Sequence, residues 1–414
     1  MSTVLIVEPR SSGLELVVRA RELGHTVLVL AAGAAHGGGG HIHTEAGREA
    51  RARAHRVISA DTADRAAALA RIRALHADTP LDAILPGFEH YVQLAADAAA
   101  ALGLPGIDPD GVAPLRHKHR MRRALDAAGL DQPGHRAVSC ERSAAAAYAE
   151  LGPVCVVKPV DQSGSLDVRK VRSAREAREA FRGARRSGRA GGTRGTGLVL
   201  VEEYVEGPEY SVEGYVEDGR VHVLGITEKL LGAEPHFVEV GHIVPAQLTA
   251  CPARRIESYI TRVLAAVGLR IGPFHAEVRM SGRGPLLMEV AARLPGDRIP
   301  DLLRLARGHD LYEIMLRCYL GVPNPEPAAP RGSTRAGIRY FLRPGLDSYR
   351  EFRVDPELRS DPRVREIGVL LPPGSALPDP GSSAGRLGYV LASGASYRET
   401  AGLLQRAEAS VTFS

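Results

Sequence analysis

The chain has 414 residues, more than one domain usually contains, so two or three domains are expected. Hydrophobic residues make up 44% and charged residues 24%, as in globular proteins, and no apolar run is long enough to span a membrane. The four cysteines include no CxxC pair, which argues against structural zinc and for reduced thiols in the cytoplasm. The net charge of +5 is spread along the chain with few aromatic residues, which disfavours nucleic acid as a partner.

The first third of the sequence alternates predicted strands and helices. Residues 3–8 predict a strand rather than a secretion signal, and Gly24 ends the helix that follows. The pattern continues with the strand HTVLVLAA, a helix at Thr62–His76, the strand LDAILPG and a helix at Tyr91–Leu102. This order predicts a doubly wound α/β domain over residues 1–112.

Two features of this domain could carry a site. In HGGGGHIH, His41 and His43 lie in a glycine-rich stretch, and this composition favours a loop over a metal site. Glu89 follows the carboxyl end of a predicted strand, where open α/β sheets bind ligands. The alternative is that Glu89 is an acid at the start of a helix, where it complements the helix dipole.

The middle of the chain, residues 113–325, predicts a larger domain whose first part, 113–200, includes a smaller lobe. A basic helix at Leu115–Gly129 precedes the strand PVCVVKP, and the Arg/Gly tract at 185–197 predicts a loop. The segments LVLVEEYV, YSVEGYVEDG and RVHVLGITEKLL have the period of two that is typical of antiparallel strands. The segment 234–250 is expected to be irregular.

The last part of the chain predicts a small α+β domain over residues 331–414. A proline-rich stretch, GVPNPEPAAPRGS, precedes it and marks the boundary. Short predicted strands, Pro/Gly turns and a final helix follow.

A β-hairpin is predicted at Ala276–Met280 and Pro285–Val290, joined by the turn SGRG. Each strand carries one glutamate, Glu277 or Glu289, between apolar residues. A carboxylate in a buried strand is costly without a cation against it, and two on adjacent strands suggest Mg²⁺ with oxygen ligands. The alternative is a hairpin whose glutamates face water.

Lysine is rare in this sequence. Of 53 basic residues only four are lysine, namely Lys118, Lys158, Lys170 and Lys229. Because arginine is used elsewhere, these positions are candidates for roles that require a compact point charge.

The order of these parts is specific. Lys118 on a helix precedes a strand that ends in Lys158-Pro159, then a Ser/Gly turn, then EEYVEGPE, and finally the paired glutamates with Arg293. Over essentially the whole chain this order resembles the ATP-grasp superfamily of carboxylate–amine ligases, and within it the L-amino-acid ligases. The resemblance implies an ATP-grasp fold with an N-terminal preATP-grasp domain, an ATP-grasp core and a small C-terminal ligase domain.

The resemblance assigns ATP to the first half of the core. Two lysines would contact the phosphates, a Ser/Gly loop would close over them, EEYV would read adenine, partly through backbone groups, and a glutamate would accept from the ribose hydroxyls. An ordinary acidic hairpin turn is the alternative for EEYVEGPE. Asp167 stands where the family often has glycine. The implied nucleotide-binding residues are Lys118, Lys158, Ser163, Gly164, Ser165, Glu202, Glu203, Val205 and Glu209.

The resemblance also implies that Glu277 and Glu289 bind Mg²⁺ or Mn²⁺. Ala291 stands where many members have asparagine, which leaves the second metal ion open. Arg293 and the backbone N–H of Gly296 would stabilise the acyl intermediate, with a surface role as the alternative for Arg293.

Glu239 and His242 resemble the ligases' substrate loop, in which a glutamate meets an α-amino group and a histidine lies by a carboxylate. Glu89 is the third predicted substrate residue. Pairing charge with charge is what a zwitterionic substrate requires.

The predicted activity is an ATP-dependent ligation of a small-molecule carboxylate, an amino acid, to an amine through an acyl-phosphate, with release of ADP and phosphate. The resemblance also implies a homodimer, and the cysteine usage predicts a cytoplasmic location. One alternative is a ligase for a non-amino-acid carboxylate or amine in specialised-metabolite biosynthesis. The other, motivated by Asp167 and Ala291, is a weakly active nucleotide-binding regulatory protein.

Overall fold

The computed structural model describes residues 1–33, 45–190, 196–234, 236–327, 334–378 and 380–414. His41 and His43, and with them the predicted loop, lie outside the described residues. In the described part of the chain, no helix combines the length and apolarity that crossing a bilayer requires.

The N-terminal region forms a four-stranded parallel sheet in the order β3-β2-β1-β4. This confirms the predicted α/β class. The carboxyl ends of these strands meet at one edge, which brings Glu89, just beyond β4, towards the centre of the molecule. The elements are β1 (Thr3–Val7), α1 (Ser12–Glu22), β2 (Thr26–Ala31), α2 (Glu45–Arg53), β3 (Arg56–Ser59), α3 (Arg65–Asp78), β4 (Ala83–Pro86) and α4 (Val92–Leu102).

A smaller lobe contains a four-stranded antiparallel sheet in the order β5-β8-β6-β7. The helix predicted at Leu115–Gly129 is interrupted by the extended backbone of His117, so that a helix begins at Lys118. The tract at 185–197 was predicted as a loop, but its first residues continue a helix as far as Ala190. The elements are α5 (Val112–Arg116), α6 (Lys118–Ala127), β5 (His135–Val138), α7 (Glu141–Leu151), β6 (Cys155–Pro159), β7 (Arg169–Val171), α8 (Ala174–Ala190) and β8 (Val199–Glu203).

The centre of the molecule is an eight-stranded antiparallel sheet in the order β13-β12-β9-β10-β11-β14-β17-β16. β15 and β18 pair with each other in a separate two-stranded sheet. The elements of this part of the chain are β9 (Glu209–Glu217), β10 (Arg220–Leu231), β11 (Glu239–Val244), α9 (Ala250–Ala266), β12 (Gly272–Ser281), β13 (Gly284–Ala291), α10 (Ile299–Arg307), α11 (Leu311–Tyr319), β14 (Arg335–Phe341), β15 (Phe352–Val354), α12 (Pro356–Ser360), β16 (Val364–Val369), β17 (Gly388–Gly394), α13 (Tyr397–Ser410) and β18 (Val411–Phe413). β14 pairs with β11, so the sheet continues across the predicted boundary of the C-terminal domain.

For this sheet, the predicted hairpin is present, but one segment that was predicted to be irregular is a strand. The hairpin is confirmed as β12 and β13, and Glu277 lies directly opposite Glu289 in the ladder. The prediction that 234–250 is irregular was wrong for Glu239–Val244, which form β11 inside the sheet. The sequence EVGHIV hides this strand because Gly241 interrupts its apolar pattern. A Cβ atom at Gly241 would lie 2.5 Å from the carbonyl oxygen of Ile338, so the close approach of β14 requires glycine there.

In the part of the central sheet formed by the neighbouring strands β12, β9 and β10, one face is apolar and the other is polar. The apolar face packs on α9, in the hydrophobic core that contains Tyr210, Val212, Phe274, Ala276 and Val278 of the sheet and Ile256, Ile260, Val263 and Leu264 of the helix. Each fully buried aliphatic side chain of this kind contributes roughly 1.5–3 kcal/mol. We call the opposite, polar side the inner face. Alternate residues of the strands supply it, namely Glu209, Ser211, Glu213, Thr227, Lys229, His275, Glu277 and Arg279.

A buried arginine joins the smaller lobe to the central sheet. Arg122 of α6 has no exposed surface, and its Nε donates to Glu202 Oε1 at 2.6 Å. Its Nη1 donates to the carbonyl oxygen of Leu287 on β13 at 2.7 Å. Lys158 donates to the other oxygen of Glu202 at 2.7 Å, so one carboxylate is held by two cations.

We expect Arg122→Met to lower the free energy of unfolding by about 3–5 kcal/mol, because Glu202 stays buried but loses one of its two partners. Urea denaturation followed by circular dichroism measures the change. The control is Arg123→Met on the same helix, where the side chain is exposed and a change within about 0.5 kcal/mol is expected. Equal losses in the two variants would contradict the interpretation.

Candidate functional site

A cavity of about 890 Å³ lies between the smaller lobe and the inner face of the central sheet. It is lined by all of the predicted nucleotide-binding residues, namely Lys118, Lys158, Ser163, Gly164, Ser165, Glu202, Glu203, Val205 and Glu209. We call it the first cavity. Its lining also includes Lys229 and Arg279, which were not predicted.

A second cavity, of about 860 Å³, lies between the N-terminal region and the central sheet. Arg10, Gly296 and Asp297 contribute to its lining. Both cavities share residues from the loop after β6 and from the sheet, namely Ser163, Gly164, Glu239, Glu277 and Arg293. A molecule in one cavity can therefore reach a molecule in the other at this junction.

The two predicted phosphate-binding lysines each have a carboxylate partner in the lining of the first cavity. Lys118 Nζ lies 2.9 Å from Glu289 Oε1, and Lys158 Nζ lies 2.7 Å from Glu202 Oε2. Burial opposes ionisation of Glu202, but the charges of Arg122 and Lys158 outweigh it and lower its pKa to about 2. The Glu202 side chain therefore holds Lys158 in place.

The loop of residues 161–168 passes over the first cavity. Ser165 Oγ donates to the carbonyl oxygen of Phe237 at 2.9 Å, which ties the loop to the segment before β11. Asp167 has a φ of 53°, a left-handed conformation that glycine adopts freely and aspartate tolerates. Its Oδ1 lies 3.0 Å from the place that a Cβ atom on Gly183 of α8 would occupy, so the carboxylate is directed at α8. Asp167 thus differs from the family pattern without adding negative charge to the lining of the first cavity.

Each of the paired glutamates is held by a cation, and Glu277 lies at the junction of the cavities. Glu277 Oε1 lies 2.9 Å from Lys229 Nζ and 3.3 Å from His275 Nε2. Burial opposes ionisation of Glu277, but Lys229 and His275 hold its pKa well below the ordinary value. Two facing carboxylates provide the oxygen ligands that Mg²⁺ prefers, so these residues fit a divalent cation.

Ala291 leaves its side of the hairpin without an oxygen donor. It is buried and lies opposite His275 in the β12–β13 ladder. His275 Nδ1 lies 2.9 Å from Glu213 Oε1, and the two neighbouring carboxylates outweigh burial and raise the His275 pKa to about 9. A protonated imidazole, rather than an amide oxygen, therefore lies beside Glu277 on this side.

Lys229, His275 and Arg279 were not predicted as site residues, because the strands that carry them also contain the apolar residues of a hydrophobic core. The period of a strand could have found two of them. His275 and Arg279 lie two positions before and after Glu277, so they share its face. For Lys229, the rarity of lysine was the one feature of the sequence that indicated a special role.

Arg293 is oriented by Glu89. Arg293 Nε and Nη2 both donate to Glu89 Oε2, at 2.9 and 2.7 Å, and Arg116 Nη1 donates to Oε1 at 2.7 Å. Glu89 is 2% exposed, and the charges of Arg293 and Arg116 outweigh its burial and hold its pKa well below the ordinary value. Glu89 lies behind Arg293 and lines neither cavity. A direct contact between Glu89 and a substrate stays a prediction.

Glu239 and His242 belong to a second charge cluster at the far side of the junction. His242 Nε2 lies 3.0 Å from Asp297 Oδ2 and 3.3 Å from Glu239 Oε2. Arg386, from the C-terminal region, donates to Asp297 Oδ1 at 2.7 Å and to the carbonyl oxygen of Glu239 at 2.9 Å. His242 is fully buried, and its acidic neighbours outweigh burial and raise its pKa.

The three ligand atoms of Glu239, His242 and Asp297 are close enough to one another to hold a metal ion. Lys229 and Arg386 already supply positive charge to the two carboxylates. We therefore interpret the cluster as a set of ion pairs rather than as a metal site. Asp297 and Arg386 were missed because no motif surrounds them in the sequence.

Three family models match the chain. The ATP-grasp N-terminal domain matches residues 17–106, and the ATP-grasp domain matches residues 152–301. The L-amino acid ligase C-terminal domain 2 matches residues 350–414.

Related proteins agree with these matches. Uncharacterized protein y4rH of Sinorhizobium fredii is 31% identical over 313 residues, which are 75% of this chain and 63% of that protein. Alanine--anticapsin ligase of Bacillus subtilis is 26% identical over 254 residues, which are 57% of this chain and 53% of the ligase. This chain therefore spans only about half to five-eighths of the length of these two curated relatives.

The crystal structure of an L-amino acid ligase from Bacillus licheniformis superimposes with a TM-score of 0.85 over 100% of this chain and 98% of the other, at 22% identity. Similarity at this identity establishes the fold. The order of motifs predicted the same fold and the same C-terminal domain. The chain thus contains ATP-grasp domains together with a C-terminal domain of the L-amino acid ligase type.

Proposed function

We propose that this protein is an ATP-dependent ligase that forms an amide bond between the carboxylate of an amino acid and an amine, with release of ADP and phosphate. The observation that carries the proposal is the junction of the two cavities at Glu277 and Arg293. A phosphoryl donor in the first cavity and an acceptor carboxylate in the second would meet there. The acyl-phosphate formed at the junction is then attacked by the amine, and phosphate leaves.

ATP would occupy the first cavity. Lys118 and Lys158 provide point charges for its phosphates, and the loop at Ser163–Ser165 provides backbone N–H groups and hydroxyls. Glu209, fixed by Arg279 and Lys229, is positioned to accept from a ribose hydroxyl. Mg²⁺, which enzymes of this family use together with ATP, would be held by the paired glutamates and would neutralise phosphate charge.

Arg293 and the backbone N–H of Gly296 would stabilise negative charge on the acyl group. Glu89 fixes the guanidinium before any substrate binds, which lowers the cost of reorganisation during the reaction. Ser12 Oγ donates to the carbonyl oxygen of Pro295 at 2.6 Å and anchors the backbone next to Gly296. Both groups are thus held by the N-terminal region.

The loop at 161–168 would exclude water from the junction. This matters because an acyl-phosphate hydrolyses readily. The bond between Ser165 and Phe237 connects closure of the loop to the segment that carries Glu239, on the amine side.

Glu239 would meet the amine. It lines both cavities, and Lys229 outweighs its burial and lowers its pKa, so it is ionised and can pair with an ammonium group. The names of the relatives, an alanine--anticapsin ligase and an L-amino acid ligase, support amino acids as the substrate class. The identities of the two substrates, the homodimer and the cytoplasmic location stay predictions.

A second candidate function is ATP binding with weak or no turnover. Ala291 favours it, because the hairpin offers one oxygen donor fewer than is common in the family. Calorimetric binding of ATP without phosphate release across a broad panel would support this candidate.

Phosphate release from the purified protein with ATP, Mg²⁺ and pairs of amino acids tests the proposed ligase function. We expect release that requires both substrates, and a product heavier than either by mass spectrometry. Phosphate release only with a non-amino-acid amine or carboxylate would instead support the alternative of a ligase in specialised-metabolite biosynthesis.

Glu289→Gln is expected to lower the rate of ADP release by about 100-fold or more, because the amide cannot replace the charge of a carboxylate ligand. A coupled ADP assay at saturating ATP measures it. Glu206→Gln, which changes an exposed glutamate just after the segment EEYV, is the control and should keep wild-type turnover. Turnover unaffected by Glu289→Gln would rule out the assigned metal role.

Glu89→Gln is expected to lower kcat by about 10–100-fold with little change in the KM for ATP, because the variant loosens Arg293 but leaves the residues assigned to the nucleotide unchanged. Steady-state kinetics separates the two parameters. The matched control is Glu22→Gln, which breaks an exposed pair with Arg19 in the same region. A rise in the KM for ATP at unchanged kcat would contradict the positioning role.

A further inference from the structure

Lys229 is a buried cation beside the junction that contacts three carboxylates. Its side chain is 2% exposed, and its Nζ lies 2.8 Å from Glu209 Oε1, 2.9 Å from Glu239 Oε1 and 2.9 Å from Glu277 Oε1. An ammonium group has three N–H donors, so these three carboxylates account for all of them.

The three carboxylates come from different strands and serve different parts of the site. β10, which carries Lys229, lies between β9 and β11, and β12 lies on the far side of β9. Glu209 lines the first cavity, whereas Glu239 and Glu277 line both. One ammonium group thus joins the nucleotide side, the amine side and the hairpin.

Carboxylates gathered in this way need a cation. Burial penalises their charges, and mutual repulsion would separate them if the ammonium were absent. A divalent cation could supply the same compensation to Glu277. Lys229 and a divalent cation therefore compete for that carboxylate.

We propose that Lys229 is a positioning residue that acts as the resident cation of the junction. It holds Glu277 while no nucleotide is bound, and it keeps the nucleotide-free protein from binding a divalent cation at the hairpin. Phosphate oxygens would supply the ligands that the hairpin lacks, so Glu277 and Glu289 would hold a metal ion only together with the nucleotide. The assignment of Glu277 as a metal ligand rests on the proposed function.

The test is cation-dependent stability of the full chain without nucleotide. The midpoint of thermal unfolding is measured in EDTA and in MgCl₂, and Mn²⁺ binding is measured by electron paramagnetic resonance. For the wild type we expect nearly the same midpoint in both solutions. Lys229→Met should unfold earlier in EDTA, regain about 2 °C or more in MgCl₂, and bind Mn²⁺ roughly tenfold or more tightly than the wild type.

Lys170→Met is the matched control. Lys170 is a similarly buried lysine, but its carboxylate partner, Glu234, lies outside the junction. Its loss should lower the midpoint without any gain from Mg²⁺. A role of Lys229 in folding alone predicts the same behaviour for both variants.

Further variants locate the cation and guard against a chain that does not fold. In Lys229→Met/Glu277→Gln the gain from Mg²⁺ should disappear, and its persistence would overturn the proposal. If Lys229→Met does not fold, the charge-matched variant Lys229→Met/Glu209→Gln takes its place and should still bind Mn²⁺ more tightly than the wild type. If that variant binds Mn²⁺ only as tightly as the wild type, the proposal is overturned. The same holds if Mg²⁺ shifts the unfolding midpoint equally in the wild type and in Lys229→Met.

These measurements need neither nucleotide nor turnover. Failure of the cation test would leave the ligase assay unaffected. Conversely, a protein without ligase activity would still show whether Lys229 excludes the cation.

Discussion

Charge pairing on the inner face of the central sheet is the constraint on which the site depends. Glu213, Lys229 and Glu277 are buried or half-buried, and each would be costly without a partner of opposite charge. The sheet meets this requirement by placing opposite charges on neighbouring strands. Glu209 and Glu213 lie on β9, and Lys229 follows on β10. Because the protein's own cations fix these carboxylates, their positions are set before a ligand arrives, as electrostatic catalysis requires.

Such pairs contribute little to stability by themselves, since the cost of removing charges from water offsets most of their attraction. The opposite face of the same strands provides the stabilisation. There Phe274, Ala276 and Val278 alternate with the charged residues of β12 and pack against α9. The residues of β12 thus alternate between two faces. The apolar residues stabilise the sheet by packing against the helix, and the polar residues form the site.

Sequence patterns predicted the parts of the site that are local in the chain. Glu277 and Glu289 are twelve positions apart in a hairpin, so their pairing followed from the strand–turn–strand pattern. Arg386 and Glu239 are 147 positions apart, and their contact depends on how β11, β14 and β17 align. Lys229 could be noticed for its rarity, but its three partners come from three strands. Long-range register, which no local pattern encodes, decides contacts of this kind.

The two departures from the family pattern differ in their physical consequences. Asp167 keeps the left-handed backbone that glycine would adopt, and its carboxylate is directed at α8, so the first cavity is unchanged. Ala291 removes a donor at the hairpin, and its neighbour across the ladder, His275, brings positive charge instead of an oxygen ligand. With fewer oxygens and more positive charge around Glu277, the hairpin alone attracts a divalent cation weakly. In the proposed ligase, phosphate oxygens would then complete the metal site, and metal binding would depend on the nucleotide.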